Sequence, residues 1–363
     1  MTTTYAPAEV FPPGEYLRDE LEERGWTVTE FAEIIGRPVQ AVSEILNGKK
    51  EITTETAVAL GDALGTTAEL WLNLQTNFRL FEQRTRQRPA APTPVARRGR
   101  LRGLLPLAEV RKRGWLPDTD DLDTLEQHVL DLLDIKALDD RPHFALAAKR
   151  ANSTEPITLE QTAWLAHVRK VASTTSVAEL DVGRLADVAA SLPGVLRDGP
   201  TQLAKVPALL SSAGVILVIS EGLRGGKLDG AVTFLPDGRA VIGLTTRGDR
   251  FDGLLFTLLH ECAHLTLGHV TSSTPAIVDD DVTETQHDPR EVDANDQASA
   301  WLFPSGFSIE ATTAVGIAAT ARRLGVHPSI VLGRVQREQK NWKLHRALVT
   351  KVRDELAAQR QLA

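Results

Sequence analysis

Cysteine is all but missing from this chain of 363 residues: Cys262 stands alone. An internal disulfide and a zinc site built on four thiolates are therefore excluded. Nothing requires an oxidising compartment, and a reducing cytoplasm is the expected home. Long apolar runs are missing too. Nowhere do eighteen consecutive apolar residues occur, and Met1 to Val10 has neither a basic start nor an apolar stretch, so neither a membrane span nor secretion is expected. Tyrosine is scarce: Tyr5 and Tyr16 are the two, which removes a tyrosine electrophile from any chemistry in the later part of the chain. No glycine-rich phosphate loop follows a strand between residues 103 and 205, so nucleotide binding is not supported there. A basic excess is also absent, since 41 Lys and Arg face 48 Asp and Glu, for a net charge of −7. Spread evenly, that charge would argue against nucleic acid.

It is not spread evenly. Between Arg84 and Arg102 there are seven arginines and no acid, with prolines at 89, 92 and 94, which reads as a basic, extended linker. From Arg322 onward the chain is basic again, while Asp279, Asp280 and Asp281 mark an acidic loop. With 42% hydrophobic residues, the length allows two or three domains. The expected division is a helix-turn-helix domain over 1–83, the linker over 84–102, a helical middle region over 103–205, a core carrying the chemistry over 206–310, and a basic helical region over 311–363. The expected fold class is mainly α with a small sheet: an all-α N-terminal domain followed by an α+β domain.

Five helical patterns precede the linker, roughly 14–24, 28–35, 38–47, 54–64 and 67–83. Thr27-Val28-Thr29-Glu30 has the form of a capping box, which fixes the start of the second helix. Gly36 ends it, and Pro38 suits the first turn of the third. Helix, short turn and helix make a helix-turn-helix. In the third helix Val42, Ile45 and Leu46 form the inward stripe. Gln40 is then placed for base contact, Ser43 for base or phosphate, and Asn47, Lys49 and Lys50 where phosphates would pass. A solvated helix surface competes with that reading, because residues 1–88 hold nine Lys and Arg against fourteen Asp and Glu, and Glu44 would repel a phosphate.

The middle region has helical patterns near 104–113, 122–133, 158–172 and 179–191. Trp115, Trp164, His128, His143 and His167 read as packing or surface residues there. The period then changes: Val215–Ile219 reads as a buried strand, and Ala231–Leu235 with Ala240–Leu244 as a hairpin around Pro236-Asp237-Gly238. Phe251 to Leu267 is apolar at helical spacing and contains His260-Glu261-Cys262-Ala263-His264. Histidines four apart project from one helical face, close enough to share one zinc ion. Such an ion activates water and polarises a carbonyl, and Glu261 beside it is placed to move the proton. Candidates for a third ligand are His269, His287, Glu284, Glu291 and Asp293. Glu291 is preferred, because it opens a second helical stripe through Ala294, Asn295, Ala298 and Leu302 whose small residues allow close approach. Cys262, turned about 200° from His260 on a helix, reads as core. His327 and His345 have no partner at metal-ligand spacing. With tyrosine excluded, a histidine, an arginine such as Arg290, or the metal alone must serve as electrophile.

Two resemblances add to this reading. Phe11-Pro-Pro-Gly-Glu15, Ala41-Val-Ser-Glu-Ile-Leu-Asn-Gly-Lys-Lys50 and Glu69-Leu-Trp-Leu-Asn-Leu-Gln75 resemble the HigA-type antitoxin branch of the Xre-like helix-turn-helix family, over about residues 10–80. That resemblance implies a dimeric repressor on a palindromic DNA operator, to which the arginine-rich linker could add phosphate contacts. Phe256 to His264, then Glu291-Val-Asp-Ala-Asn-Asp-Gln-Ala298 and Leu302-Phe-Pro304, are similar to the ImmA/IrrE family of metallopeptidases. The run from Ala321 to Gln336 is similar to the tail of members fused to HigA-type domains, and together these cover roughly 210–340. The second resemblance implies a zincin-like fold with His260, His264 and Glu291 as zinc ligands and Glu261 as general base. The sequence departs from it where many members have glycine and a further histidine: Ala263 and Gly268 stand there. His269 is displaced by one position and reads first as a surface residue ending the helix, second as an oxyanion stabiliser; His287 stays open.

The combined expectation is a cytoplasmic, homodimeric DNA-binding regulator with a zinc-dependent endopeptidase domain. Its expected substrate is a helix-turn-helix repressor or a partner toxin in a stress-response, mobile-element or toxin–antitoxin circuit. The competing expectation is a non-proteolytic antitoxin or autorepressor whose metallopeptidase-like domain only binds a partner or senses metal. Self-cleavage between Pro89 and Arg102 is a third.

Overall fold

Thr27 determines where the second helix of the chain begins. Its hydroxyl accepts from the Glu30 amide at 3.2 Å while the Glu30 carboxylate accepts from the Thr27 amide at 2.7 Å, so two orphan donors are satisfied reciprocally. In the computed structural model, which describes residues 10–86, 92–147, 149–150, 153–271, 276–279 and 288–359, five helices make up the first unit: α1 (Pro13–Arg24), α2 (Val28–Ile34), α3 (Val39–Leu46), α4 (Thr54–Leu64) and α5 (Ala68–Arg86). Their apolar faces close on Leu17, Phe31, Val42, Leu60 and Trp71, each at most 1% exposed. Burying each large side chain contributes about 1.5–3 kcal/mol. Gly14 lets α1 touch the end of α3, because a Cβ there would collide with the carbonyl oxygens of Ile45 and Leu46. Arg18 reinforces the contact by donating to the Leu46 carbonyl at 3.1 Å.

The chain divides after Thr93 into a second compact unit, Pro94–Ala363. Its opening differs from expectation. Residues expected as extended linker form a helix, α6 (Pro94–Leu104), with proline in its first turn, where the missing N–H costs nothing, and Leu101 fully buried. Two arginines of this stretch are committed: Arg97 pairs with Asp123 at 2.6 Å and Glu126 at 2.5 Å, and Arg100 with Asp139 at 2.9 Å, while Arg98 and Arg102 are exposed. Arg88 lies outside the described residues.

After α6 come α7 (Leu107–Lys112), α8 (Leu122–Leu133), α9 (His143–Ala147), β1 (Lys149–Arg150), β2 (Ser153–Pro156), α10 (Leu159–Ser173), α11 (Val182–Val195) and α12 (Val206–Ser211). Then follow β3 (Val215–Ile219), β4 (Gly230–Phe234), β5 (Ala240–Leu244), α13 (Phe251–Thr266), β6 (Ala276–Asp279), α14 (Pro289–Leu302), α15 (Ala314–Leu324), α16 (Pro328–Glu338) and α17 (Arg353–Ala358). The sheet has the order β2-β1-β6-β4-β5-β3. β3 and β5 run parallel, with Val215 opposite Ala240, and the β4–β5 hairpin is antiparallel, with Gly230 opposite Leu244. Among the described residues no helix is long and apolar enough to cross a membrane.

Both faces of the central strands are buried, which is why they read as continuous apolar runs. Val215, Ile219, Val232, Ile242 and Leu244 face a core shared with α11 and α13–α16. Ile216, Val218, Ala231 and Val241 face the opposite way, into a core shared with α6–α8 and α10. The region 103–205 thus packs through α6–α8 and α10 on one face of the sheet and through α11 on the other. The helices of 311–363 belong to the same body. Trp164 shows how close the packing is: a Cβ on Gly243 of β5 would come within 2.7 Å of its ring, and its indole N–H donates to the Ser220 carbonyl at 3.2 Å. Trp115 stacks on His167, ring centres 4.0 Å apart.

Candidate functional site

Helix α13 is apolar along the stripe that meets the sheet, through Leu254, Leu255, Leu258, Leu259, Cys262 and Leu265. Cys262 has no exposure, and burial, with the nearby charge of Glu261, raises its thiol above the ordinary range. The other side of the helix presents His260, Glu261 and His264, all fully buried. Against it lies α14, started by Asp288, whose carboxylate accepts from the Arg290 amide at 3.0 Å. Ala294 and Ala298 are fully buried; small side chains there let the two helices approach. Glu291, 1% exposed, thereby reaches the histidines.

Donor atoms of His260, His264 and Glu291 lie within 4.8 Å of one another. The two Nε2 atoms are 2.9 Å apart, and the Glu291 carboxylate oxygens lie 3.1 Å from His260 Nε2 and 3.4 Å from His264 Nε2. Donors bound around one tetrahedral zinc ion at 2.0–2.2 Å lie about 3.3–3.5 Å apart, so the set needs only small adjustments to hold such an ion. Tautomers point the same way. His260 Nδ1 donates to Asn295 Oδ1 at 3.1 Å, which leaves the Nε2 lone pair directed at the other two donors. His264 Nδ1 lies 3.0 Å from His269 Nδ1; with His264 donating, its Nε2 lone pair also faces inward. Two facing lone pairs at this distance fit a cation between them. When the two imidazoles are instead protonated, burial works to raise the Glu291 carboxyl, but their hydrogen bonds and charge outweigh it and hold it well below the ordinary range.

His269 is a correction to the reading of a surface residue. Gly268 adopts the left-handed conformation, φ +70°, and the His269 amide donates back to the His264 carbonyl at 2.9 Å. This helix-ending turn returns the ring onto His264. Burial, then the charge of His264, lowers its pKa. Of the other third-ligand candidates, Asp293 is exposed, and Glu284 and His287 lie outside the described residues. Arg290 is tied to Asp288 at 2.6 Å. His327 caps α16, its Nδ1 accepting from the Ser329 amide at 3.2 Å.

Two contributors escaped the sequence reading. Asn295 was visible as part of a small-residue stripe and of the run Glu291 to Ala298 but was given no role, although its place four residues after Glu291 puts it on the same face. Gly230 carried no signal: a Cβ on it would strike the Glu261 carboxylate and Thr257, so Glu261 packs directly against the backbone at the start of β4.

In the first unit, Gln40, Asn47, Lys49 and Lys50 are exposed and Ser43 half-buried along α3 and the turn after it. Gln40 donates to Glu44 at 3.0 Å, and Asn47 donates to the Ser43 carbonyl at 2.8 Å. The turn between α2 and α3 passes through Gly36, φ +60°. Runs that suggested a family have structural roles as well: Trp71 donates to Thr66 at 2.8 Å, and Gln75 accepts from the Ile52 amide at 2.9 Å, fixing α5 against its neighbours.

Residues 17–71 match the helix-turn-helix family. An HTH-type transcriptional regulator of Escherichia coli, YddM, is 33% identical over 70 residues, 19% of this chain and 74% of the relative. The antitoxin HigA-1 of Vibrio cholerae is 39% identical over 79 residues, 22% of this chain and 74% of the relative. Among solved structures, the antitoxin HigA of Pseudomonas aeruginosa with the higBA promoter is 28% identical, covering 24% of this chain and 98% of that one, with a TM-score of 0.22. The family match ends at Trp71, within the first unit. Through that unit the chain belongs to the helix-turn-helix family of DNA-binding transcriptional regulators, with HigA-type antitoxins among its relatives.

Proposed function

We propose that this regulator binds a palindromic operator as a homodimer in the cytoplasm and that its second unit is a zinc-dependent endopeptidase of the ImmA/IrrE type. Its substrate is a helix-turn-helix repressor or a partner toxin in a stress-response, mobile-element or toxin–antitoxin circuit. The observation that carries the peptidase half is the meeting of His260, His264 and Glu291 within 4.8 Å, with Glu261 on the same turn of α13. Zinc, when bound, supplies Lewis acidity toward a peptide carbonyl and lowers the pKa of water toward ~7. Glu261 takes the proton of the attacking water and delivers it to the leaving amine. Asn295 and His269 orient the two imidazoles from behind. Gly230 leaves the Glu261 carboxylate room against β4. On the DNA side, Gln40 and Ser43 read base edges while Asn47, Lys49 and Lys50 hold phosphates.

The Glu261→Gln variant is expected to keep about one equivalent of zinc and to lose cleavage by ~10²–10⁴-fold. Protein termini generated in cells by the two forms provide the comparison; identical termini would refute the mechanism.

One observation favours a second reading. His260, Glu261 and His264 are 0% exposed and Glu291 1%, so none of the groups that would do the chemistry is open to a peptide in this conformation. In that reading the unit is a metal-stabilised partner-binding domain of an antitoxin or autorepressor. Operator binding that survives EDTA, with no cleavage of any neighbouring gene product, selects it.

A further inference from the structure

Past the carboxyl ends of the parallel strands β3 and β5, the charge balance of the molecule reverses. The whole chain carries −7. Yet the loop after β3 and the turn after β5 enclose a cavity of about 360 Å³ lined by Arg113, Arg224, Lys227, Arg247 and Arg353, with Glu221 the one carboxylate. Glu109 pairs with Arg113 at 3.1 Å and Asp229 with Arg247 at 3.3 Å from just outside the wall, so five cations meet three acids, a local excess of two.

Two of these cations are held in place by backbone carbonyls. Arg113 donates to the carbonyls of Glu221 at 2.9 Å and Gly222 at 3.0 Å. Arg353 donates to the Thr246 hydroxyl and carbonyl, each at 3.3 Å. Carbonyl acceptors satisfy N–H groups without neutralising the guanidinium. Glu221 lies 3.2 Å from Arg353 and 3.8 Å from Arg113, and Arg113 has Glu109 at 3.1 Å as well, so both are balanced and the excess charge is that of the other cations. Arg224 and Lys227 are exposed and form no ion pair among the described residues. Such an arrangement suits a polyvalent anion: oriented guanidinium forks at the wall, mobile cations at the mouth, little for a neutral ligand to gain.

We propose that this cavity binds a small phosphorylated molecule. A single carboxylate would match only half of the excess carried by Arg224 and Lys227, whereas a phosphate dianion matches it. A half-open hollow of about 360 Å³ has room for one or two phosphates and not for the evenly spaced backbone of a duplex, so a small molecule is the occupant. The site also adjoins the metal centre. The β3–β4 loop that lines the cavity runs into Gly230, which packs on Glu261. Arg247, shared with the cavity wall, pairs with Asp229 at 3.3 Å, one residue earlier. A ligand that draws Arg247 off Asp229 therefore acts on the seat of Glu261. That regulatory consequence rests on the peptidase reading; binding does not.

The test is isothermal titration of the full chain with inorganic pyrophosphate and inorganic phosphate, against sodium chloride at matched ionic strength. Saturable binding at one site per chain is expected, tighter for pyrophosphate. Arg224→Ala/Lys227→Ala, at two exposed positions, is expected to weaken it about tenfold or more with an unchanged circular dichroism spectrum. Lys49→Ala/Lys50→Ala, which removes cations from the first unit, is expected to leave it intact. Absence of saturable binding, equal binding by the Arg224/Lys227 variant, or loss in the Lys49/Lys50 variant instead overturns the proposal. So does an equal weakening of duplex DNA binding by Arg224→Ala/Lys227→Ala, which would give these cations to nucleic acid. Glu261→Gln is titrated in parallel: pyrophosphate binding that persists where no cleavage is found by any form separates failure of the peptidase reading from failure of this one.

Discussion

Asn295 is not one of the three donors of the proposed metal site, yet it settles which nitrogen of His260 is available. Its Oδ1 accepts from Nδ1 at 3.1 Å, and an imidazole so engaged presents the Nε2 lone pair to its neighbours. Replacing Asn295 by alanine removes the orienting bond from a half-buried position while leaving all three donors in place. The expected result is a loss of ~10–100-fold in zinc affinity, read by competition with a chromophoric chelator, with no change in helix content. Unchanged affinity would show that packing alone holds the ring. At this scale the sequence was uneven. Histidines four apart on an apolar helix are legible because helical geometry alone puts them on one face. His269 was not, because its approach to His264 depends on a left-handed turn at Gly268, a conformational choice that spacing along the chain does not display. Gly230 was less legible still: its neighbour Glu261 lies thirty-one positions away and meets it only when β4 and α13 pack.

Between elements, the start of α13 is tied to the far end of the chain by Asp249. Its carboxylate accepts from the amides of Val352 at 3.1 Å and Arg353 at 2.9 Å, and the Phe251 amide donates to the Thr350 carbonyl at 2.9 Å. Burial works to raise the Asp249 carboxyl, but these amides, with the charges of Arg353 and Lys351, outweigh it and hold the pKa below its ordinary value. A carboxylate depressed in the folded state contributes stability that is present above the unfolded pKa of about 3.9 and lost as pH falls through the folded value. Asp249→Asn keeps a residue that tolerates the observed φ of +49° and removes only the charge. It is expected to cost about 1 kcal/mol at pH 7, with the difference from the unaltered protein shrinking at acid pH as the carboxyl protonates in the folded state. Urea denaturation at neutral and acid pH measures it, and a constant difference would assign the cost to geometry. Elements themselves were largely readable: α2, α4, α8, β3 and α13 fall where caps and periodicity put them. Failures came where charge stood in for conformation. The arginines of α6 read as part of an extended linker, but the acidic partners of Arg97 and Arg100, which are Asp123, Glu126 and Asp139, lie on other segments, invisible to a scan for like charges.

Taken whole, the molecule has two units with separate cores: Leu17, Phe31 and Trp71 anchor one, and the sheet with helices on both faces anchors the other. Separate cores have separate stabilities, so heating should give two transitions rather than one. The proposed metal ligands all belong to the second core and to two different elements of it, α13 and α14. A ligand that binds only the folded form stabilises it by mass action, about 2.7 kcal/mol at a hundredfold excess over Kd. For a body of this size that amounts to a rise of roughly 5–10 °C in one transition. Differential scanning calorimetry of the full chain, stripped with EDTA and then reloaded with zinc, should move that transition alone, while the transition of the first unit stays fixed and operator binding at low temperature is unaffected. Glu291→Ala should abolish the shift without removing the transition. If zinc moves both transitions together, the ion is acting elsewhere or the units unfold as one; if it moves neither, His260, His264 and Glu291 are a buried polar cluster and the regulator works through DNA and protein contacts alone.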